Sequence, residues 1–391
     1  MTLLLPSVRL STDEISAGPW IFARQVVAPA TSIEPGALVE ILDRSDRFVG
    51  HGLFNPRSDI CVRVLSRGKK SDLRSPRDFL LRKISSADRL RRKTLRLPEV
   101  TDAYRIVHAE GDDLPGLIID RLGPALVCEY HALGFWRLRD EIEWVLGELY
   151  AGLPVVHRVP KTVRKAEGFE PAEEARDIGT VILTEHGLRI PVRPGLGHKT
   201  GYFCDQRDNR RFVAELARGT DVLDLCCNTG GFGLACARAG ARSVRGVDLD
   251  ETVLESAQAA VKENALAVEL VHADAFDVMR ATRDARERPS VIVLDPHKLI
   301  ASRTQYEEGL RKYSDMNALA LACVRPGGVL ATFSCSGSLD LPGFLGMVFQ
   351  AARRAARDIR VLAVLGAGPD HPQRPDFSRS RYLKGAVLAV D

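Results

Sequence analysis

The chain has 391 residues, 45% of them hydrophobic and 27% charged, with a formal net charge of +4 at pH 7. That length exceeds what one average core supports and predicts two or three domains, and the composition excludes an intrinsically disordered chain. No apolar run approaches the roughly eighteen residues of a membrane span, and Met1–Pro6 lacks the basic and long apolar regions expected of a secretory signal. Eight cysteines without a CxxC pair, mostly in apolar segments, predict reduced thiols and a cytoplasmic location.

Residues 1 to about 70 read as a small β-barrel. Ile21-Phe22, Leu38–Leu42, Phe48-Val49 and Cys61–Leu65 are strand-like, separated by Pro35-Gly36 and Asn55-Pro56. Ser75-Pro-Arg-Asp78 then supplies a helix cap, a proline at the first helical position and an acid in the first turn. Leu80, Ile84, Ala87 and Leu90 follow at helical spacing with arginines opposite. Between Arg57 and Leu97 stand 14 Lys or Arg against 4 Asp, a local charge of +10 that leaves 4 − 10 = −6 for the rest. Such a concentration predicts a polyanion-binding face carrying Arg91, Arg92 and Lys93, with a merely solvated arginine-rich helix as the alternative. From Arg105 to about Arg193 strands alternate with one helix, Leu138–Leu149, giving a mixed α/β module over 71–193.

From 194 to 391 the pattern becomes regular strand–helix alternation. Strands are expected near 221–226, 243–248, 268–272, 290–294, 328–334, 360–365 and 383–390, which makes a doubly wound α/β sheet. Asp224-Leu-Cys-Cys-Asn-Thr-Gly-Gly-Phe-Gly233 joins the first of these strands to a helix, and its glycines let the backbone approach a ligand closely. A second strand ends about twenty residues later in Asp248, the spacing at which a βαβ unit offers a carboxylate to a ribose. The turn is not G-x-G-x-x-G, and Asp224 would repel a phosphate but suit an ammonium. Asp274 follows the third strand and could meet an adenine amino group. Together these acids, with Asn228 and Gly230 in the turn, point to S-adenosylmethionine rather than a dinucleotide.

Glu110–Arg121, Gly197-His-Lys-Thr-Gly-Tyr-Phe-Cys-Asp-Gln-Arg-Asp-Asn-Arg210, the glycine turn, Phe333-Ser-Cys-Ser-Gly337 and Asp370-His-Pro372 occur in that order over nearly the whole chain. In these motifs the sequence resembles the PUA-containing large-subunit ribosomal RNA cytosine-5 methyltransferases. The resemblance implies an N-terminal PUA domain, a central α/β module, and a C-terminal Rossmann-like domain that uses S-adenosylmethionine on structured RNA. It also implies that the Lys199–Arg210 segment flanks the cofactor pocket, with Gln206 as a ligand and Lys199 available to RNA. A second copy of the chain is a further candidate partner, and no metal is expected.

Carbon 5 of cytosine is too electron-poor to attack a methyl sulfonium until a nucleophile has added at carbon 6, and a thiolate both adds and leaves readily. Cys335 lies just past the strand ending at Phe333, on the sheet edge where ligands bind in open α/β folds. The resemblance makes it the nucleophile, and leaves the other seven cysteines, Cys226 and Cys227 included, as packing residues. Asp295, at the end of the fourth strand, can hydrogen-bond the N3 side of the base and touch the cofactor region. Here the chain departs from the family's Asp-Pro-Pro-Lys-Phe: it has Asp295-Pro296-His297-Lys298-Leu299. Losing the aromatic removes a surface for a flipped base, and His297 can stack on the RNA, move a proton, or do neither. Two alternatives therefore stand beside cytosine-5 transfer: an RNA methyltransferase acting on another base atom, and an RNA- and cofactor-binding protein without turnover.

Overall fold

The computed structural model describes residues 5–13, 17–27, 33–73, 75–197, 199–284 and 288–391. Met1–Leu4, Arg74 and His198, which entered the sequence reading, lie outside them. The chain forms two compact units. The first holds residues 1–183, 192–204 and 369–380, and the second 184–191, 205–368 and 381–391. Barrel and central module share the first unit, which also takes residues 192–204.

In the first unit β1 (Ser7–Arg9), β2 (Trp20–Ile21), β3 (Ala37–Leu42), β4 (Phe48–Phe54) and β5 (Val62–Ser66) form a sheet in the order β1-β3-β4-β5-β2. Only β1 and β3 are parallel. Val8, Ile21, Val39, Ile41, Phe54 and Val62 meet inside. β1 is too short for any period to show in the sequence, with one inward residue among three. Ser75 caps α1 (Pro76–Arg89) by accepting the Asp78 N–H, and the helix buries Phe79, Leu80, Ile84 and Ala87. Past Arg89 one turn widens to π geometry, closed by Leu95 N–H donating to the Leu90 carbonyl at 2.9 Å.

β6 (Ala103–His108), β7 (Leu117–Leu122), β8 (Ala125–Tyr130) and β9 (Val155–Arg158) make a four-stranded sheet in that order. β8 and β9 are parallel and joined through α2 (Leu133–Arg137) and α3 (Arg139–Leu149). The sequence predicts α3 only, because α2 and α4 (Lys161–Glu167) are shorter than two turns and carry no helical period. A hairpin of β10 (Val181–Glu185) and β11 (Leu188–Val192) follows.

The second unit begins its regular winding with α5 (Arg207–Leu216), β12 (Asp221–Leu225), α6 (Gly231–Arg238), β13 (Ser243–Asp248), α7 (Glu251–Glu263) and β14 (Glu269–His272). α8 (Ala275–Asp284), β15 (Val291–Leu294), α9 (Tyr306–Cys323), β16 (Gly328–Ser334), α10 (Leu341–Arg354), β17 (Ile359–Gly366) and β18 (Lys384–Val390) complete it. The seven strands lie in the order β14-β13-β12-β15-β16-β18-β17, the first five parallel and β18 antiparallel to both neighbours. Each falls within a residue of its expected span. The central strands read as unbroken apolar runs because both faces are covered. Ile292 and Leu294 of β15 pack with Leu223, Leu225 and the α8–α10 side, while Val291 and Val293 pack with Val222, Phe232 and Val213 on the α5–α6 side. The order reverses between β12 and β15, which opens a crevice at their carboxyl ends.

Candidate active site

Asp224, four residues into β12, is buried. Its Oδ2 accepts the Gly233 N–H at 2.8 Å, and its Oδ1 is buried without a hydrogen-bond partner. Burial pushes its carboxyl up to about 7, with the charges of Asp295 and Asp248 adding in the same sense against the Gly233 hydrogen bond. A Cβ on Gly233 would sit 3.2 Å from Val244 and 3.3 Å from Asp224 Oδ2, a tight fit that presses on both. The turn between them needs left-handed backbone at Cys226, Asn228 and Gly230 (φ 57, 50 and 76°). Asn228 tolerates that conformation, and Gly230 adopts it freely.

Asp248 ends β13 and fixes this turn as well as facing it. Its Oδ2 accepts the Asn228 N–H at 2.8 Å and its Oδ1 the Asp250 N–H at 3.0 Å. Leu249 beside it is 63% exposed, an apolar side chain left at the crevice rim. Asp274 accepts the Phe276 N–H at 2.7 Å, so it also opens α8. Gln206, buried before α5, donates from Nε2 to Asp295 Oδ2 at 2.8 Å. It is itself oriented by Asn209 Nδ2, which donates to Gln206 Oε1 and to the Gly366 carbonyl. Arg210 on α5 forms a buried two-pronged ion pair with Glu185 at 2.8 and 2.7 Å. Asn209 and Arg210 fall in the quoted Gly197–Arg210 segment, whereas Glu185, at the end of β10, carries no sequence signal for its pairing.

Cys335 is half-buried just past β16. Both flanking serines are buried. Ser336 Oγ accepts the Ile300 N–H at 3.1 Å and pairs with Tyr313 Oη at 3.0 Å, and the Ser336 N–H donates to Ser334 Oγ at 3.3 Å. The serines therefore pin the loop as well as being small. Gly337 is exposed, and a Cβ there would meet nothing within 4 Å, which leaves that side of the loop open. Asp295 follows β15, the strand hydrogen-bonded to β16. Burial raises the thiols of Cys61, Cys323 and Cys226, the last to about 12 with help from the surrounding acids. Cys128, Cys227 and Cys236 are raised by burial too. Among the described residues no cluster of three or more His, Cys, Asp or Glu is placed to hold a metal.

The Asp295–Leu299 departure takes a definite shape. Pro296 is buried, His297 and Lys298 are exposed, and Leu299 is half-buried against the apolar core of the α8–α10 side. The position read as a lost stacking surface thus faces the core. Arg91 also overturns an expectation. It is fully buried, pairing with Asp112 at 2.7 and 2.8 Å and donating to the carbonyls of Arg105 and Asp370. The widened turn at Leu90–Thr94 aims it inward, so it cannot contact a polyanion. Arg92 and Lys93 remain exposed. Lys199, half-buried, rests over the Phe203 ring at 4.3 Å.

Comparison with known proteins adds what geometry alone leaves open. Residues 16–67 match the model of a PUA-like domain and 222–303 that of a methyltransferase domain. The chain is 35% identical over 378 residues to ribosomal RNA large subunit methyltransferase I of Pseudoalteromonas atlantica, covering 95% of each chain. It is 34% identical over 380 residues to the protein of that name from Shewanella denitrificans, again 95% of each. The same fold occurs in a protein assigned as a methyltransferase and complexed with SAH, with a TM-score of 0.80, 19% identity, and 99% and 100% of the two chains covered. A Streptococcus mutans protein assigned as S-adenosylmethionine-dependent superposes with a TM-score of 0.79 at 19% identity, over 98% and 100% of the chains. S-adenosylmethionine is the cofactor of such a domain, and the residues present fit it: the buried, unpaired Asp224 Oδ1 is an acceptor in want of a cation.

Proposed function

Because the chain belongs to the ribosomal RNA large subunit methyltransferase I family, we propose that this S-adenosylmethionine-dependent RNA methyltransferase forms 5-methylcytosine in large-subunit ribosomal RNA through a covalent adduct at Cys335. When bound, S-adenosylmethionine supplies an electrophilic methyl group. Asp224 takes its ammonium on Oδ1, Asp248 its ribose hydroxyls and Asp274 its adenine amino group, while Asn228 and Gly230 shape the turn beneath. Gln206 holds Asp295 at the junction of cofactor and base.

The thiolate of Cys335 adds to carbon 6 of the cytosine, and Asp295 stabilises the adduct from the N3 side. Once carbon 5 carries the methyl group, which would leave S-adenosylhomocysteine behind, solvent takes the carbon-5 proton and the C–S bond breaks to return the thiolate. The PUA-like domain, Arg92, Lys93 and Lys199 contact the RNA backbone, and the target base must be unstacked to reach the loop. The observation that carries this reading is a half-buried thiol held between two hydrogen-bonded serines on the strand next to that of Asp295.

RNA containing 5-fluorocytosine tests it, since fluorine at carbon 5 cannot leave as a proton does. Wild-type protein with cofactor should give a denaturant-stable RNA adduct, and Cys335→Ser should give none and lose methyl transfer. Methylation persisting in Cys335→Ser would sink the mechanism and favour transfer to a base nitrogen. The exposed His297, standing where the family has proline, supports that second reading.

A further inference from the structure

Lys384 opens β18 opposite Ser334 of β16, a register that brings it to the base of the Cys335 loop. Lysine at such a position would ordinarily reach for water. Here it is 4% exposed, and its Nζ donates to the carbonyls of Ser336 at 2.6 Å and Tyr382 at 2.8 Å. Two carbonyl dipoles solvate a buried ammonium without neutralising it, so an anion forming beside it gains from its charge.

We propose that Lys384 is a positioning residue whose ammonium stabilises the Cys335 thiolate, both before attack and when the thiolate leaves the adduct. The proposal rests on Cys335 being the nucleophile. The groups facing the lysine are few. Cys335 and Asp340 favour its charge, Lys298 opposes it, and the Tyr313 hydroxyl reaches the same loop through Ser336. Burial, the largest influence, brings Lys384 down to about 8, so it stays mainly protonated at neutral pH. A strand-opening lysine thereby does for this thiol what an adjacent base or a helix N-terminus does for reactive cysteines elsewhere.

The test reads the thiol directly, without RNA. Iodoacetamide alkylation of Cys335 in the full chain is followed from pH 6 to 10 by mass spectrometry of its tryptic peptide. Lys384→Gln keeps a donor for the two carbonyls and removes the charge. Its alkylation midpoint should move to higher pH by about one unit, a roughly tenfold loss of reactivity at pH 7. Lys384→Arg keeps the charge and should hold the midpoint at or below that of the wild type. A Lys384→Gln midpoint equal to that of the wild type would reduce Lys384 to a structural tie and overturn the proposal. If Lys384→Gln fails to fold by circular dichroism, Lys384→Arg decides: a midpoint above that of the wild type overturns it. Failure of the fluorocytosine adduct with a shifted midpoint would instead sink the nucleophile and leave the charge pair standing.

Discussion

Asp224, proposed above as the ammonium acceptor, carries a cost for the protein without cofactor. Its carboxyl is raised to about 7 from 3.8, mainly by burial. The folded protein therefore holds a proton that the unfolded chain releases between about pH 4 and 7. Stability from this group falls as pH rises through that window and is flat above it. The penalty at neutral pH is on the order of 4 kcal/mol. Asp224→Asn should accordingly melt at a higher temperature than the wild type at pH 7.5 and show no such gain at pH 4, while losing cofactor affinity at least tenfold. Equal melting at both pH values would mean that the carboxylate is solvated. Cofactor binding at pH 6 should also release up to one proton, seen as a dependence of calorimetric heat on buffer ionisation enthalpy. Residues of this kind are partly legible in sequence. Asp224, Asp248 and Asp274 announce themselves by ending successive strands, whereas Lys384 and Glu185 acquire meaning only through pairing register and a partner dozens of residues away.

Among the elements, the loop after β16 is the one whose rigidity can be tested apart from chemistry. Ser336→Ala leaves the buried Ile300 N–H without its acceptor and removes one partner of the Tyr313 hydroxyl. The expected cost is about 1–3 kcal/mol, read from the denaturant midpoint. An unchanged midpoint would show that the serine is merely small. At the first turn, Gly233→Ala should weaken cofactor binding several-fold, because the new methyl group must displace either Val244 or the Asp224 carboxylate. Titration calorimetry decides it, and an unaltered affinity would mean that α6 shifts freely. The seven strands were readable as short, mainly apolar runs between turn residues, the five parallel ones and the two antiparallel ones alike. The π turn at Leu90–Thr94 was not. The local sequence there reads as continuing helix, whereas Arg91 within the turn pairs with the distant Asp112.

For the molecule as a whole, the +10 of residues 57–97 is a poorer guide to an RNA-binding face than the count implies. Arg63 pairs with Glu167 in the interior and Arg91 with Asp112, so part of the charge is spent on holding the first unit together. Two kinds of outcome separate the roles. Arg91→Ala should cost about 3–5 kcal/mol of stability, as breaking a buried pair does. Arg92→Ala with Lys93→Ala should leave the melting temperature within a degree or two and lower the salt slope of RNA binding by about one per lost contact. An unchanged slope would return both side chains to the role of solvated surface.

The first unit is completed by a segment translated late. Arg91 donates to the carbonyl of Asp370, 279 residues downstream, and the Arg105 N–H to the carboxylate of the same residue. At roughly 5–20 residues per second of synthesis, those donors wait on the order of 15–55 s for their acceptors. The nascent N-terminal half therefore emerges with the Arg91 side chain and the Arg105 N–H each short of one acceptor, and the seven-stranded sheet is itself incomplete until β18 follows. A nascent chain stalled before residue 369 should consequently show protease-sensitive cleavage around Arg91 that disappears on release of the full-length protein.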